Sequence, residues 1–180
     1  MEIIKTGIKD LLIINPKIFA DARGYFFESY NEEVFKKNGI DVNFIQDNQS
    51  LSSTGVLRGL HFQAPPHDQG KLVRVITGAV LDVAVDIRKN SSTYGKHVAI
   101  ELTEENKTMF FIPPGFAHGF LTLKDNTIFS YKCTNLYHKE SEGTILWDDL
   151  DLNVNWNYND PILSEKDISG IPFKTFVSPF

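Results

Sequence analysis

Cysteine is almost absent from this sequence, since Cys133 is the only one among 180 residues. One cysteine cannot form an intrachain disulfide, and it cannot supply the several thiolates of a cysteine-based zinc or iron–sulfur site within one chain. A single free thiol fits a reducing compartment, and we therefore expect a cytoplasmic protein.

No apolar run in the sequence is long enough to cross a membrane as a helix. The most apolar stretch, residues 108–123, is short and is interrupted by two prolines and two glycines. Residues 1–14 mix charged and apolar side chains and lack the basic-then-apolar layout of a secretory signal. These features predict a protein without a membrane partner.

Excess positive charge is missing as well. The net charge of −5 is unfavourable for a general nucleic-acid-binding protein. The sequence has no glycine-rich P-loop and no dinucleotide fingerprint, and none of its five histidines falls at His-x-His spacing. We therefore expect no nucleic-acid partner, no metal and no other cofactor. An anionic small ligand is compatible with this charge if the cations are concentrated locally.

The composition, with 42% hydrophobic and 23% charged residues, is typical of a soluble globular protein. We expect a single domain over positions 1–180. Short β-branched or alternating runs, separated by turn-forming residues, are typical of an all-β sandwich or barrel. The tail, residues 157–180, is expected to hold short helices or to lie over the barrel. We predict one internal helix at 32–38 and strands at 72–76, 80–87, 96–102, 108–112, 120–123, 127–134 and 144–147.

Polar side chains crowd residues 46–63, a segment that is otherwise apolar. Arg58 and His61 are three residues apart, which places them on opposite faces of a regular strand unless Gly59 marks a bulge or a bend. An isolated histidine is more often a hydrogen-bonded structural residue than a catalytic one. The concentration of polar residues here instead favours a binding or catalytic site.

Lys71 and His118 each lie where the backbone is constrained by glycine or proline. Lys71 follows a glycine and shares a predicted strand face with Val73, so it is either a solvated lysine or a cation that faces the interior. His118 lies among two prolines and two glycines. A structural turn and a functional histidine fit that segment equally well.

Tyr131 and Asp167 carry weaker local signals. Tyr131 shares a predicted strand face with Phe129 and Cys133, and a buried tyrosine usually packs in the core with one hydrogen bond. Asp167 has the local pattern of a solvated helix start, and nothing in its immediate sequence marks it as functional.

As a set, the motifs resemble those of the dTDP-4-dehydrorhamnose 3,5-epimerase family of sugar-nucleotide enzymes. The resemblance implies an all-β, cupin-like jelly-roll β-barrel with a few short helices. The loop at 64–68 and the tail after Asp167 are where this chain departs from the family pattern. The matching segments, which run in family order and are highly specific together, are 21–30, 46–48, 56–63, 69–73, 82–88, 112–120, 131–134, 142–143, 147–149 and 163–167.

The resemblance implies a role for each candidate site residue. His61 is expected to be the general base and Asp167 the carboxylate that orients it. Lys71 is expected to stabilise the C4 oxyanion, and Tyr131 to be the general acid on the opposite face of the sugar. The positions that match substrate-binding residues of the family are Arg23, Glu28, Gln46, Asn48, Arg58, His118, Glu142 and Lys166.

The implied reaction converts dTDP-4-dehydro-6-deoxy-D-glucose to dTDP-4-dehydro-L-rhamnose, for cell-surface polysaccharide. C3 and C5 both flank the C4 ketone, so proton removal at either carbon gives an enolate that a cation stabilises. One base and one acid on opposite faces then suffice to invert the centre. The resemblance also implies a homodimer, in which an N-terminal segment with Arg23 reaches the neighbouring site.

Two alternatives stay open at this point. One is a mono-epimerase that acts at C3 or C5 only, or on a CDP- or GDP-linked sugar. The other is a non-catalytic sugar-nucleotide-binding barrel, which the joint presence of His61, Lys71 and Tyr131 disfavours. Solvent exchange separates catalysis from binding, because a binding protein cannot place deuterium on carbon.

Overall fold

The computed structural model describes residues 1–180 and consists mainly of short β-strands. The helices are α1, Glu32–Lys37, and α2, Glu165–Ile168, with single 3-10 turns at Lys139–Ser141 and Phe173–Thr175. The strands are β1 Glu2–Lys5, β2 Leu12–Asn15, β3 Phe19–Asp21, β4 Gly24–Phe26, β5 Gln46–Ser52, β6 Leu57–Gln63, β7 Lys71–Thr77, β8 Ala79–Asp86, β9 His97–Thr103, β10 Met109–Ile112, β11 Phe116–Thr122, β12 Thr127–Cys133 and β13 Glu142–Thr144.

Two antiparallel sheets form the body of the fold. The six-stranded sheet has the order β1-β2-β10-β7-β12-β5, and the five-stranded sheet has the order β13-β6-β11-β8-β9. Strands that are distant in sequence, such as β7 and β10, are neighbours in a sheet, as in jelly rolls. β3 and β4 form a separate hairpin. The prediction of an all-β, cupin-like jelly roll with few short helices is confirmed.

A hydrophobic core lies between the two sheets. Successive residues of a strand point to opposite faces, so each strand gives one row of side chains to this interior. β8 contributes Val80 and Ala84, while Val83 and Val85 face the other side of the sheet. The buried members of the interior core are Ile8, Leu11, Val73, Val75, Val80, Ala84, Leu102, Phe110, Ile112, Phe116, Phe120 and Phe129.

The outer faces of both sheets are covered by the two ends of the chain. On the six-stranded sheet, Phe35 of α1 and Ile40 pack against Leu72 and Met109. On the five-stranded sheet, Trp156 packs with Val83, Val85 and Leu121, and Phe173, Phe176 and Phe180 of the tail contact that cluster. The prediction that the tail holds short helices and lies over the barrel is confirmed.

The predicted elements agree with the structure except at some boundaries. The helix predicted at 32–38 is α1, whose N-cap residue Asn31 accepts a hydrogen bond from the backbone N–H of Val34. The strand predicted at 120–123 begins earlier, at Phe116, because the turn ends at Gly115. The strand predicted at 144–147 is mostly wrong, because β13 is Glu142–Thr144 and shares only Thr144 with the prediction.

Candidate active site

A polar cavity opens between the sheets at the end where β7 begins and where β6 and β12 end. It has two adjoining compartments, a rim compartment of about 510 Å³ and a deep compartment of about 340 Å³. The rim compartment includes the exposed Tyr137, and the deep compartment includes Arg58 and His118. The residues common to both compartments are His61, Lys71, Tyr131 and Glu142.

A bend in β6 directs Arg58 and His61 into the same cavity. Gly59 has a φ of 145°, and the pairing of β6 with β11 shifts register beside it. A Cβ atom at position 59 would lie 2.5 Å from the Cα of Gly119, so only glycine permits this approach of the two strands. The bend at Gly59, which the sequence left as one of two alternatives, is present.

His61 is held by a buried carboxylate. Its Nε2 lies 2.7 Å from Oδ1 of Asp167, which is 2% exposed. The same carboxylate accepts hydrogen bonds from the backbone N–H of Gly59 and from the hydroxyl of Ser164, the N-cap residue of α2. Asp167 does lie in the first turn of a helix, as its local sequence predicts, but the expectation that it is solvated is wrong. Because an ionised carboxylate only accepts, Nε2 of His61 carries the proton and Nδ1 keeps a free lone pair.

The pKa values of this pair are shifted in a direction that suits a base. Burial lowers the pKa of His61, and the hydrogen bond to Asp167 opposes that effect only in part. Burial acts to raise the pKa of Asp167, but the hydrogen bonds from His61, Ser164 and Gly59 outweigh it and hold this pKa far below its usual range. At neutral pH, His61 is therefore uncharged and able to accept a proton.

Lys71 lies at the start of β7 and faces both compartments. It shares its inward face with Val73, as predicted, and its Nζ lies 5.9 Å from the ring centre of Tyr131. Burial lowers its pKa, whereas the charges of Asp82 and Glu142 act in the opposite direction. No protein side chain forms an ion pair or a hydrogen bond with it, so its ammonium group is available to a ligand oxygen.

Tyr131 faces His61 from the opposite sheet. It lies on β12 of the six-stranded sheet, whereas His61 lies on β6 of the five-stranded sheet, and both line the two compartments. Burial and the neighbouring Cys133 raise the pKa of Tyr131, and the hydrogen bond with Asn48 opposes them. The phenol is therefore protonated at neutral pH and able to donate a proton.

His118 and Arg58 line the deep compartment. Nε2 of His118 lies 3.0 Å from each carboxylate oxygen of Asp82 on β8. The guanidinium of Arg58 donates to Oγ of Ser52 over 3.3 and 3.4 Å. His118 is therefore a cavity histidine on a strand, and the alternative of a turn histidine bonded to main chain is wrong.

Hydrogen bonds order the polar groups at the cavity rim. Glu142 accepts from the ammonium group of Lys166 and, over 3.1 Å, from the hydroxyl of Tyr137. Gln46 donates to Asn48 over 3.1 Å and accepts from the backbone N–H of Tyr137 over 2.9 Å. The predicted site residues that the structure brings together around the cavity are His61, Lys71, Tyr131, Asp167, Gln46, Asn48, Arg58, His118, Glu142 and Lys166.

Comparison with known proteins assigns the chain to a family. The model of the dTDP-4-dehydrorhamnose 3,5-epimerase family matches residues 5–175. The chain belongs to this family.

Relatives resemble the chain over nearly its whole length. The dTDP-4-dehydrorhamnose 3,5-epimerase of Methanothermobacter thermautotrophicus is 53% identical over 95% of this chain and 94% of its own length. The dTDP-6-deoxy-D-glucose-3,5-epimerase of Legionella pneumophila, solved in complex with dTDP-4-keto-L-rhamnose, is 47% identical with a TM-score of 0.94, covering 98% of this chain and 94% of its own. The 3'-monoepimerase ChmJ of Streptomyces bikiniensis, solved in complex with dTDP-quinovose, is 31% identical to this chain with a TM-score of 0.90. The match covers 94% of this chain and 87% of ChmJ.

Two predicted substrate-binding residues of this epimerase-family chain lie outside the cavity. Arg23, at the turn of the β3–β4 hairpin, is exposed and pairs with Asp21 over 2.6 Å. Glu28 accepts a hydrogen bond from Asn31 over 2.9 Å beside α1. Neither side chain lines the rim or the deep compartment of its own chain.

Several cavity residues of this epimerase-family chain were not identified from the sequence. Tyr137 lies in an irregular loop without strand periodicity, although an aromatic residue in a polar loop is a usable signal. Asp82 does not line the cavity but contacts the cavity residue His118, and it had a clearer signal, because it is a carboxylate in the inward row of a strongly alternating strand. The other cavity residues in this group are Gln49, Ser50, Phe62, Gln63, Gln69, Phe120, Phe129 and Ser164.

The structure was also searched for metal-binding clusters and membrane spans. No group of three or more His, Cys, Asp or Glu side chains in the chain is placed to hold a metal ion. None of the helices combines the length and the apolar character that a membrane span requires.

Proposed function

We propose that this chain is an isomerase that converts dTDP-4-dehydro-6-deoxy-D-glucose to dTDP-4-dehydro-L-rhamnose by inverting C3 and C5. One observation carries the proposal: a neutral imidazole, His61, and a protonated phenol, Tyr131, line one cavity from opposite sheets. A sugar ring between them presents one face to a base and the other face to an acid. Inversion at a carbon beside a ketone requires that arrangement.

Each inversion is a pair of proton transfers. Nδ1 of His61 removes the proton from C3 or C5, and the electron pair of the broken C–H bond moves onto the C4 oxygen. The resulting enolate oxygen lies beside Lys71, whose ammonium group stabilises it. Tyr131 then donates a proton to the same carbon from the other face, and the electron pair returns to form the new C–H bond. His61 then releases its proton to solvent and Tyr131 takes one up, which restores both groups for the inversion at the second carbon, and the overall change is redox-neutral.

The two compartments fit the two parts of the substrate. The deep compartment holds the sugar, with Arg58 and His118 against its oxygens. The rim compartment holds the nucleotide, where Tyr137 offers an aromatic face and is 55% exposed. Arg58, Lys71 and Lys166 line the deep compartment together with the carboxylates of Glu142 and Asp167, and of the three cations only Lys71 also lines the rim compartment. The cavity therefore has a small excess of positive side chains in a chain whose net charge is −5, which favours a nucleoside diphosphate ligand.

Double inversion is favoured over single inversion by the comparison with relatives. The two relatives named as 3,5-epimerases are 53% and 47% identical to this chain, whereas the 3'-monoepimerase is 31% identical. We expect the wild-type enzyme in heavy water to place deuterium at both C3 and C5 of the 4-keto sugar nucleotide. Proton NMR of the product measures this directly. Deuterium at one carbon only would reject the 3,5 assignment in favour of a mono-epimerase, and no deuterium on carbon would leave a binding protein.

The exposed β3–β4 hairpin supports a second part of the proposal, the homodimer that the family resemblance implies. Phe19, Tyr25 and Phe26 of the β3–β4 hairpin are each more than half exposed, which is unusual for aromatic side chains outside an interface. Arg23 lies at the tip of this hairpin and does not line the cavity of its own chain. We propose a homodimer in which the hairpin places Arg23 against the partner's rim compartment.

Complementation in mixed dimers tests the hairpin proposal. Arg23→Ala and His61→Asn chains, each inactive alone, are co-expressed with different tags, and the total activity of the dimer population is measured. In a hybrid dimer, one site combines an intact His61 with an intact hairpin from the other chain. Since half of the dimers are hybrids and half of their sites are restored, activity should return to about a quarter of the wild-type value.

The matched control pairs two residues that belong to one cavity. In hybrids of Lys71→Ala with His61→Asn, each site lacks one of the two groups, so activity should stay at the level of the parent variants. If Arg23→Ala and His61→Asn also fail to complement each other, Arg23 does not act across the interface.

A further inference from the structure

The segment that carries Tyr137 has little of the support that usually orders a loop. Residues 135–137 lie just after the end of β12 and form no backbone–backbone hydrogen bond. Leu136 and Tyr137 are 58% and 55% exposed, so neither side chain is anchored in the core. Such a loop samples several conformations unless other contacts hold it. Since Tyr137 lines the rim compartment, contacts from outside the segment are needed to fix it there.

Gln63, the last residue of β6, supplies these contacts. Its Oε1 accepts a hydrogen bond from the backbone N–H of His138 over 2.9 Å, and its Nε2 donates to the carbonyl oxygen of Leu136 over 3.1 Å. The same Nε2 donates to the carbonyl oxygen of His67 in the facing loop. Gln63 is 6% exposed. One buried amide therefore holds the main chain on both sides of Tyr137.

The neighbours of Gln63 reinforce this arrangement. The rings of His67 and His138 stack at a centroid distance of 3.8 Å, which joins the two loops a second time. Glu142, the register partner of Gln63 on β13, accepts a hydrogen bond from the hydroxyl of Tyr137 over 3.1 Å. Two adjacent strands of the five-stranded sheet thus hold the backbone and the hydroxyl of Tyr137, while its ring stays exposed for a ligand.

We propose that Gln63 is a positioning residue which, together with the His67–His138 stack, orders Tyr137 for stacking on the nucleobase of the substrate. The proposal rests on the proposed function, in which the nucleotide occupies the rim compartment. An aromatic side chain that is already ordered binds more tightly than a mobile one, because ordering it no longer reduces the binding free energy. Gln63 therefore sets the affinity for the nucleotide and takes no part in the proton transfers.

The first test measures affinity and turnover in Gln63→Met, which removes all three hydrogen bonds and keeps a similar side-chain length. Calorimetric titration with thymidine diphosphate, which lacks the sugar, should show a Kd raised about fivefold to fiftyfold, since the loop must then be ordered on binding. With the 4-keto sugar nucleotide, KM should rise by a similar factor and kcat should change by less than about twofold. A normal Kd, or a loss confined to kcat, would overturn the proposal.

The second test separates positioning from direct contact, because Gln63 itself lines the rim compartment. Tyr137→Ala should weaken the binding of thymidine diphosphate by about fivefold to a hundredfold, the scale of stacking between a base and an aromatic ring. The double variant Gln63→Met/Tyr137→Ala should bind no more weakly than Tyr137→Ala alone, since Gln63 acts through Tyr137. Losses that multiply in the double variant would show that Gln63 contacts the ligand itself, and they would reject the positioning role.

His67→Ala keeps the proposal testable if Gln63→Met does not fold. It removes the stack with His138 but none of the hydrogen bonds of Gln63, because Gln63 binds the main chain at position 67. The Kd for thymidine diphosphate should rise about twofold to tenfold, the range for one aromatic pair, with kcat unchanged. An unchanged Kd in the folded His67→Ala protein would contradict the proposal.

Asn106→Ala is the matched control. The side chain of Asn106 also braces a turn through three backbone hydrogen bonds, with Glu101, Thr103 and Thr108, but it lines neither compartment. This variant should lower the thermal unfolding midpoint and leave both kcat and the Kd for thymidine diphosphate unchanged. A Kd raised as much as in Gln63→Met would mean that any loosened loop disturbs binding, and the specific role of Gln63 would be rejected.

Failure of the proposed function gives a different pattern of results. A wild-type enzyme that places no deuterium on C3 or C5 would reject the proposed function itself. An unchanged Kd in Tyr137→Ala would reject the placement of the nucleotide at Tyr137, and the role of Gln63 with it. Weak binding by Tyr137→Ala beside normal binding by Gln63→Met would reject the role of Gln63 alone.

Discussion

Replacement of His61 with asparagine is expected to remove nearly all exchange of the C3 and C5 hydrogens with solvent while the protein stays folded. The asparagine side chain retains an N–H group for Asp167, but it has no basic lone pair to take a proton from carbon. We expect the exchange rate to fall by about a hundredfold to ten-thousandfold, the scale of general-base catalysis. The rate of deuterium uptake at saturating substrate, followed by proton NMR, measures this loss.

A histidine outside the cavity provides the control for this substitution. His97 lies on β9 and lines neither compartment, so His97→Asn should keep wild-type exchange. Calorimetric binding of the sugar nucleotide should show similar affinity for the wild type and His61→Asn, because the cations of the cavity are unchanged. Exchange by His61→Asn at a rate near that of the wild type would remove His61 from the mechanism.

The family resemblance named many of the residues that line the cavity, but the sequence did not show how Arg58 and His61 come to line it together. A regular strand directs residues three apart to opposite faces. The close approach of Gly59 to Gly119 on β11 resolves this conflict, and it depends on a strand about sixty positions away in the chain. Local sequence patterns contain no information about such a long-range contact.

The two carboxylates behind the histidines were difficult to identify for different reasons. Asp167 is 106 residues from His61, and its local sequence describes only its part in capping α2. Its contact with the base was expected from the family resemblance alone. Asp82 lies in the inward row of β8, where a charged side chain conflicts with the core. That conflict was a physical signal for a buried charge pair, although the partner became visible only in the register of β8 with β11.

The fold was most predictable where strands are rich in β-branched and aromatic residues and least predictable where the inward row of a strand is polar. β7, β8 and β12 are rich in β-branched or aromatic residues and appeared at nearly their observed bounds. β5 reads as QDNQSLS and was not predicted as a strand, because its inward row is polar. The inward residues of β5 line the cavity and do not pack in the core. β5 therefore lacks the alternation of apolar and polar residues by which strands are recognised in a sequence.

Replacement of Lys71 with methionine is expected to slow turnover by about a hundredfold to a thousandfold, the range seen when one donor to an oxyanion is removed. Methionine has a similar length and fits an apolar environment, so the variant tests charge more than volume. Because Lys71 has no protein partner, its removal leaves no carboxylate unpaired in direct contact with it. Steady-state kinetics with the 4-keto sugar nucleotide give kcat and KM separately, and the loss should appear in kcat.

Lys132 provides the matched control, because it lies one residue from Tyr131 on β12 but faces the outer side of the sheet, where it pairs with Asp47 over 2.9 Å. Lys132→Met should retain the wild-type kcat, because Lys132 lines neither compartment. The variant should also stay folded, since an exposed ion pair contributes little to stability. A Lys71→Met enzyme with normal kcat and a raised KM would identify Lys71 as a diphosphate contact. Another cation of the deep compartment, such as Arg58, would then have to stabilise the enolate, and Lys71 would belong to the nucleotide part of the cavity and not to the sugar part.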